Sequence, residues 1–311
     1  MKIAVIGAGL MGRAALCDAA RAEGVESVGI FDVDEHMAAE IGERFGEGKA
    51  VSGRLDASDE PAAVELLSQY DAAVSCVTYR LNPGLTRAAI QAGCHLVDLG
   101  GNNDVVKAQL EMDDEAREAG VIVIPDCGLA PGMVSIMAAD GIARMDKVDS
   151  VRIRVGGLPQ SPRRPLNYQI VFSPEGLINE YWEPCIILEN GQKKTVNPMT
   201  GLEQLEFDGI GELEAFYTSG GSSTLPETYA GKIDFLDYKT IRYPGHCDRF
   251  RTMLELGLAS RKKLEVEGQM VEPRELFKAV LQNVLSFHDP DMVLVRVIVQ
   301  GEKDSAPAVR S

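Results

Sequence analysis

The chain is poor in the side chains that carry metal chemistry and poor in positive charge. Its four histidines, His36, His95, His246 and His288, lie too far apart to form a paired ligand set. The six cysteines (Cys17, Cys76, Cys94, Cys127, Cys185 and Cys247) show no C-x-x-C or other metal-like spacing. Several sit in apolar surroundings, where a reduced thiol behaves as a small hydrophobe. No metal site is therefore expected. Lysine and arginine number 31 against 47 aspartates and glutamates, a formal charge of −16. That balance disfavours a nucleic acid or an anionic membrane as partner, because both would be repelled. There is no apolar run long enough to cross a bilayer, no internal repeat and no low-complexity segment. The N-terminus opens at once on a strand pattern, not on a basic region followed by an apolar stretch and a cleavage site. A cytoplasmic location is expected.

What is present is the composition of a folded globular protein, 45% hydrophobic and 25% charged over 311 residues, long enough for two domains. The first half alternates short apolar strands ("KIAVIG", "SVGIFDVD", "KAVSGRLD", "DAAVSCVTY", "CHLVDLGG", "VIVIPDCG") with helical periodicities, among them the run "DVVKAQLEMDDEAREAG". Repeated βα units predict an α/β domain with a Rossmann-type, doubly wound parallel sheet. Beyond the helix "PGMVSIMAADGIARM" the pattern changes to longer strands, including "DSVRIRVGGLP", "EPCIILENGQKKTV", "KIDFLDYKTIRY" and "DMVLVRVIVQGEK", with fewer helices. This predicts an α+β substrate domain on a mixed or antiparallel sheet. The expected domains are 1–146 and 147–311. The polar tail "KDSAPAVRS" is expected to be mobile.

The motif Gly7-Ala8-Gly9-Leu10-Met11-Gly12 follows the first strand and opens the first helix. In that setting Gly7 permits the tight turn, Gly9 lets a pyrophosphate approach the backbone, and Gly12 lets helix pack on strand. Asp32 ends the second strand about twenty residues further on, where a carboxylate accepts the ribose hydroxyls of NAD and repels the phosphate of NADP. With no arginine read as replacing it nearby, NAD is the expected cofactor. Val33 follows Asp32 in the same loop, and Asp34 is better read as a helix N-cap. Asp56 is placed for adenine or for a cap. Val77, Thr78 and Tyr79 after the fourth strand, and Asp98 to Gly101 (Gly100 included) after the fifth, are expected near the nicotinamide ribose. Short-chain dehydrogenase chemistry is set aside, because Tyr229-Ala-Gly-Lys232 is one residue short of a Tyr-x-x-x-Lys pair.

The blocks "DCGLAPGM", "FSPEGLINEYWEPC", "AFYTSGGSSTLPETY" and "YKTIRYPGH" together resemble the saccharopine dehydrogenase-like superfamily, and within it the lysine 6-dehydrogenases. The resemblance runs from Met1 to about Lys303. It implies a homo-oligomer, expected as a dimer, that takes a small amino-acid substrate. The implied reaction oxidises the ε-carbon of L-lysine with NAD, releasing ammonia and leaving a semialdehyde that cyclises. Such relatives continue some tens of residues past the strand expected at 292–300.

In the extended segment before Pro244, Tyr238, Thr240 and Arg242 share one face, while Lys239, Ile241 and Tyr243 share the other. A guanidinium grips a carboxylate through two parallel hydrogen bonds, so Arg242 is the expected anchor for the substrate carboxylate, with Thr240 as neighbouring donor. His246, at the start of the next helix, is either a neutral base toward the substrate or a core or capping residue. Lys239 is expected to be solvated or salt-bridged. Asp126, beside Cys127 and Gly128, either holds the amine or caps a turn. Phe172, Tyr217 and Thr218 are candidate pocket walls. A saccharopine-type secondary amine would need a further carboxylate grip, for which Arg163, Arg164 and Arg249 are candidates. A nucleotide-binding regulatory protein without turnover is the alternative from another class.

Overall fold

The computed structural model describes residues 1–287 and 289–311. His288, one of the histidines weighed for metal spacing, lies outside the described residues. The chain divides into two compact units, Met1–Met133 and Val134–Ser311. The division falls one helix earlier than the expected boundary at Lys147. That helix packs on the second unit's sheet, where Gly141 leaves so little room that an added Cβ would lie 2.8 Å from Val299.

The first unit holds a parallel sheet in the order β3-β2-β1-β4-β5-β6. Its strands are β1 (Lys2–Ile6), β2 (Ser27–Asp32), β3 (Ala50–Arg54), β4 (Ala72–Ser75), β5 (His95–Asp98) and β6 (Val123–Ile124). The helices between them are α1 (Leu10–Arg21), α2 (Glu35–Phe45), α3 (Glu60–Leu67), α4 (Asn82–Ala92), α5 (Asn103–Leu110) and α6 (Asp113–Ala119). The single helical run expected over 104–120 is thus two helices. Alternation of side chains about each strand feeds two cores. Val5, Val28 and Ile30 pack with Leu16 of α1 and Ala38 of α2. Ala4, Ile6, Ala73 and Leu96 pack with Leu67 of α3 and Leu85 of α4. Burying a leucine such as Leu16 contributes about 2 kcal/mol. The doubly wound topology is as predicted, with the strands' carboxyl ends converging on the loops after β1, β4 and β5.

The second unit is built on a mixed sheet. After α7 (Met133–Ala143) come β7 (Lys147–Pro159), α8 (Pro174–Trp182), β8 (Cys185–Glu189), β9 (Gln192–Val196), β10 (Glu203–Phe207), β11 (Gly211–Tyr217) and α9 (Leu225–Tyr229). They are followed by β12 (Phe235–Arg242), α10 (His246–Glu255), β13 (Leu264–Val266), β14 (Gln269–Val271), α11 (Pro273–Leu285), β15 (Asp291–Lys303) and β16 (Ala306–Arg310). The sheet order is β10-β11-β12-β7-β15-β16, with β8 pairing β12 and β9. β12 runs parallel to β7 and antiparallel to β11. One face packs under α8, α10 and α11 through Tyr168, Leu177, Tyr181, Phe216, Phe250 and Phe277.

Two expectations change here. "EPCIILENGQKKTV" is a hairpin, not one strand, turning at Asn190 and Gly191, both with positive φ (54° and 73°). The tail is not loose either: Asp304 and Ser305 take positive φ (53° and 62°), and β16 pairs back on β15 with Lys303 opposite Ala306. Of the thiols, Cys94, Cys185 and Cys247 are buried, and burial pushes all three up to about 12, as expected of reduced cysteines filling apolar space. Among the described residues no helix is long and apolar enough to cross a membrane.

Candidate active site

In the first unit the glycine loop has the form that a pyrophosphate requires. Gly7 holds φ +101°, and a Cβ there would come 2.9 Å from the Cys76 carbonyl oxygen. A Cβ on Gly12 would lie 1.7 Å from the Gly7 carbonyl oxygen, so only glycine lets α1 close on the turn. Gly9 is the N-cap of α1, makes no side-chain cap, and has open space where a Cβ would stand. The first amides of α1 are thus left for an anion. Leu10 and Met11 are exposed beside them.

The Asp32 carboxylate accepts from the Ala8 amide at 2.8 Å and from the Asp34 amide at 3.0 Å, tying the end of β2 to the glycine loop. Val33 beside it is exposed, and Asp34 caps α2 by accepting from the Met37 amide, as expected. The absence of a nearby arginine is corrected: Arg54, exposed at the end of β3, is the register partner of Asp32. Asp56 binds the Ser58 amide and hydroxyl, which hold its carboxyl below the usual range. It closes a turn within reach of Arg54.

Asp98 differs from expectation. It is fully buried, and its carboxylate accepts from Gly100 at 2.7 Å, Asp126 at 3.3 Å and the Gln109 amide at 2.7 Å. Asp98 therefore shapes the loops after β5 and β6 and leaves their backbone as the contact surface. Asp126, with φ +60°, accepts from Gly101 at 3.3 Å and serves the same junction. Val77 and Thr78 follow β4, and Tyr79 begins a single 3₁₀ turn there.

In the second unit β12 places Tyr238, Thr240 and Arg242 on one face, as the alternation predicts. Arg242 is 3% exposed. Its Nε donates to the Tyr181 hydroxyl at 2.7 Å, its Nη1 donates to the Ile241 carbonyl at 2.8 Å, and its guanidinium lies 4.7 Å from the Tyr168 ring centre. Protein groups thus occupy Nε and Nη1, while Nη2 faces Glu180 Oε2 at 4.0 Å, so the expected grip on a substrate carboxylate would fall to Nη2 alone. Thr240 is likewise inward, donating to Glu180 Oε1 at 2.5 Å. Thr218 joins them, 2.7 Å from Thr240.

His246 resolves as a core residue. It is fully buried, and its Nδ1 donates to the Leu166 carbonyl at 3.0 Å. Nε2 must then accept, and the Tyr181 hydroxyl lies 3.2 Å away to donate. Burial and the neighbouring Arg242 push the imidazole down to about 3, so the ring is neutral. The positive end of α10 is instead taken by Glu214, whose two oxygens accept from the Gly245 and Cys247 amides at 2.7 Å each.

Tyr217 is not on this face. Lys239 lies over its ring at 4.8 Å, and Lys239 is salt-bridged to Glu203 at 2.7 Å. Phe172 packs against the helical core beside Gly176, the bland alternative to a pocket wall. The residues that sequence reasoning missed here are Glu180 and Tyr181. A buried arginine and threonine on one strand face require an acceptor, and α8 supplies it.

Arg164, Pro165 and Arg249 line an open pocket of about 510 Å³. Both arginines are exposed. Among the described residues neither has an ion-pair partner, whereas Arg163 is paired with Asp289 and lies 4.8 Å from the Phe287 ring centre. The structure thus brings together two of the three arginines expected for a second grip.

Residues 3–124 match the family model of the saccharopine dehydrogenase NADP binding domain, and residues 128–310 match that of the saccharopine dehydrogenase C-terminal domain. The chain belongs to the saccharopine dehydrogenase family. Bovine mitochondrial alpha-aminoadipic semialdehyde synthase is 26% identical over 274 residues, covering 84% of this chain and 28% of that protein. Saccharopine dehydrogenase (NADP(+), L-glutamate-forming) of Saccharomyces cerevisiae is 23% identical over 242 residues, covering 75% and 53%. Carboxynorspermidine synthase of Vibrio cholerae is 24% identical over 280 residues, covering 82% and 65%. The chain therefore spans from about a quarter to just under two thirds of the length of these relatives. The solved structure of apo saccharopine dehydrogenase (L-Glu forming) from Saccharomyces cerevisiae superposes with TM-score 0.77 at 18% identity, covering 99% of this chain and 83% of that one, which establishes the fold. The family's first domain binds a nicotinamide dinucleotide. The uncapped start of α1, the open Gly9 and the Gly7–Gly12 closure fit that ligand's pyrophosphate.

Proposed function

We propose that this chain is a nicotinamide-dependent oxidoreductase acting on a saccharopine-type secondary amine. The observation that carries the reading is the pair of exposed guanidiniums of Arg164 and Arg249, which have no ion-pair partner among the described residues, at one open pocket of the second unit. A guanidinium pair suits carboxylates. A secondary amine joining two amino-acid carbon skeletons carries carboxylates on both sides of its nitrogen, while lysine carries one. The name of one relative, saccharopine dehydrogenase, supports the same substrate class.

In the reaction the C–H beside nitrogen gives up a hydride and the N–H a proton, leaving an imine; water adds to its carbon and the C–N bond breaks, giving a carbonyl and an amine. A bound nicotinamide supplies the hydride acceptor. The protein's part is positional. Gly9 and the first amides of α1 hold the pyrophosphate, and Asp32 accepts ribose hydroxyls, which favours NAD. The loops anchored on Asp98 fix the backbone at the carboxyl edge of the sheet, and Arg164 with Arg249 sets the substrate's register. Holding the reactants in line supplies much of the rate.

A second reading, NAD-dependent deamination of L-lysine at its ε-carbon, is favoured by the sequence blocks at 172–185 and 238–246. The two are separated by following reduced cofactor with saccharopine and with lysine, each with NAD and NADP. Turnover of saccharopine that falls at least about tenfold in Arg164→Ala and Arg249→Ala supports the first reading. Turnover of lysine alone, insensitive to both substitutions, overturns it in favour of the second. Cofactor binding with no turnover of any amine would assign the chain a regulatory role. A homodimer in the cytoplasm completes the proposal, and sedimentation of the purified chain tests the dimer.

A further inference from the structure

The polar cluster around β12 has an inside and an outside, and they differ in sign. Inside are Arg242, Thr240, Thr218, Tyr181 and His246, all buried. Reaching outward is Glu180, whose side chain is 17% exposed. Any molecule that approaches this cluster from solvent meets a carboxylate before it meets the guanidinium.

The hydrogen bonds fix how that carboxylate is held. Thr240 commits its hydroxyl hydrogen to Glu180 Oε1 at 2.5 Å, so the 2.7 Å contact with Thr218 must run from Thr218 to Thr240. Glu180 Oε2 lies 4.0 Å from Arg242 Nη2, near enough for attraction and too far for a hydrogen bond. Three other carboxylates carried by strands of this sheet are engaged. Glu203 is held by Arg154 and Lys239. Asp237 engages Arg154 with both oxygens, and Glu214 engages two amides. Glu180 alone among these four has one oxygen fixed and the other available.

We propose that Glu180 is a substrate-contacting residue that holds the cationic nitrogen of the amine substrate. The inference rests on the functional reading above and deepens it, since it adds a residue for the substrate's nitrogen to that reading's carboxylate contacts. Glu180 receives the nitrogen, and the exposed Arg164 and Arg249 receive a carboxylate. Arg242 keeps Glu180 in place from beneath, and Thr240 fixes its rotamer.

The test uses the full chain and the variants Glu180→Gln, Glu180→Asp and Thr240→Val. Calorimetric titration of saccharopine and of lysine, without cofactor, is paired with steady-state kinetics and with inhibition by glutarate, a dicarboxylate that lacks nitrogen. Glu180→Gln is expected to weaken the turned-over amine about 10- to 100-fold in Kd and KM, the size of a lost charge-assisted hydrogen bond. Its affinity for the dinucleotide and for glutarate should stay within twofold, roughly the noise of such measurements. Glu180→Asp is expected to recover part of the loss. An unchanged amine affinity in Glu180→Gln overturns the inference, as does an equal loss for glutarate, which would mark Glu180 as a counter-ion only. Should Glu180→Gln not fold, Thr240→Val frees the carboxylate without removing it, and an unchanged amine affinity there overturns the inference equally. If the unsubstituted chain turns over no amine but binds one in a Glu180-dependent way, the functional reading falls and this inference stands.

Discussion

A histidine that stays neutral inside a fold ties stability to pH. The ordinary value for the ring is 6.5, and in His246 burial beside Arg242 lowers it to about 3. The folded value is the depressed one, so the unfolded chain binds the extra proton first. Stability is therefore full above pH 6.5 and falls as pH drops through the window from 6.5 to 3. At pH 5 the loss from this one residue is about 2 kcal/mol. Glutamine at the same place can still donate toward Leu166 and accept from Tyr181 but does not titrate. His246→Gln should therefore be less stable than the parent at pH 7 and lose less between pH 7 and pH 5. Urea unfolding at the two pH values checks this, and parallel losses in both proteins would refute it. The same comparison bears on the chemistry, because a ring that both donates and accepts within the core has no lone pair left for a substrate.

At the scale of the element, β12 carries two chemistries on its two faces. One face presents Tyr238, Thr240 and Arg242 to α8. The other presents Asp237 and Lys239 to a buried ion network with Arg154 and Glu203, in which the Arg154 and Asp237 side chains are 5% and 2% exposed. Breaking such a pair from one side leaves a charge uncompensated, at a cost of about 3 kcal/mol. Asp237→Asn should lower the urea midpoint accordingly with no change in slope, while cofactor affinity holds, because the first unit carries the dinucleotide loop. This division of faces was legible in the sequence, since a period of two is set by the backbone itself. The βα repeats were legible for the same kind of reason. Hairpins were harder. "LENGQ" carries an Asn-Gly turn, yet the flanks change from apolar Ile186 and Leu188 to basic Lys193 and Lys194, which hides the pairing. β16 owes its order to a turn at Asp304 and Ser305 that no glycine announces. Glu180 and Tyr181 were invisible as chemistry because they sit mid-helix among residues that read as packing, and only the partner strand shows what they serve.

For the molecule as a whole, charge is expected to govern cofactor choice. The formal charge of −16 repels anions in general, and a 2′-phosphate adds to the repulsion at the end of β2, where Asp32 stands. Against this stands Arg54, exposed in register with Asp32 on the neighbouring strand and able to meet a phosphate. Asp32 is anchored by two amides, while no hydrogen bond among the described residues fixes the Arg54 side chain, so the carboxylate is the better placed of the two. NAD should be used at least about tenfold more efficiently than NADP, the size of one well-placed charge. Asp32→Ser should narrow the ratio by improving NADP, and Arg54→Ala should widen it by weakening NADP alone. Because repulsion from the whole molecule is screened by salt, kcat/KM for NADP should also rise more steeply than that for NAD as ionic strength increases. Measuring both coenzymes across these variants and a salt series decides the matter. An NADP preference that Arg54→Ala abolishes would mean that the guanidinium, and not the carboxylate, sets coenzyme choice.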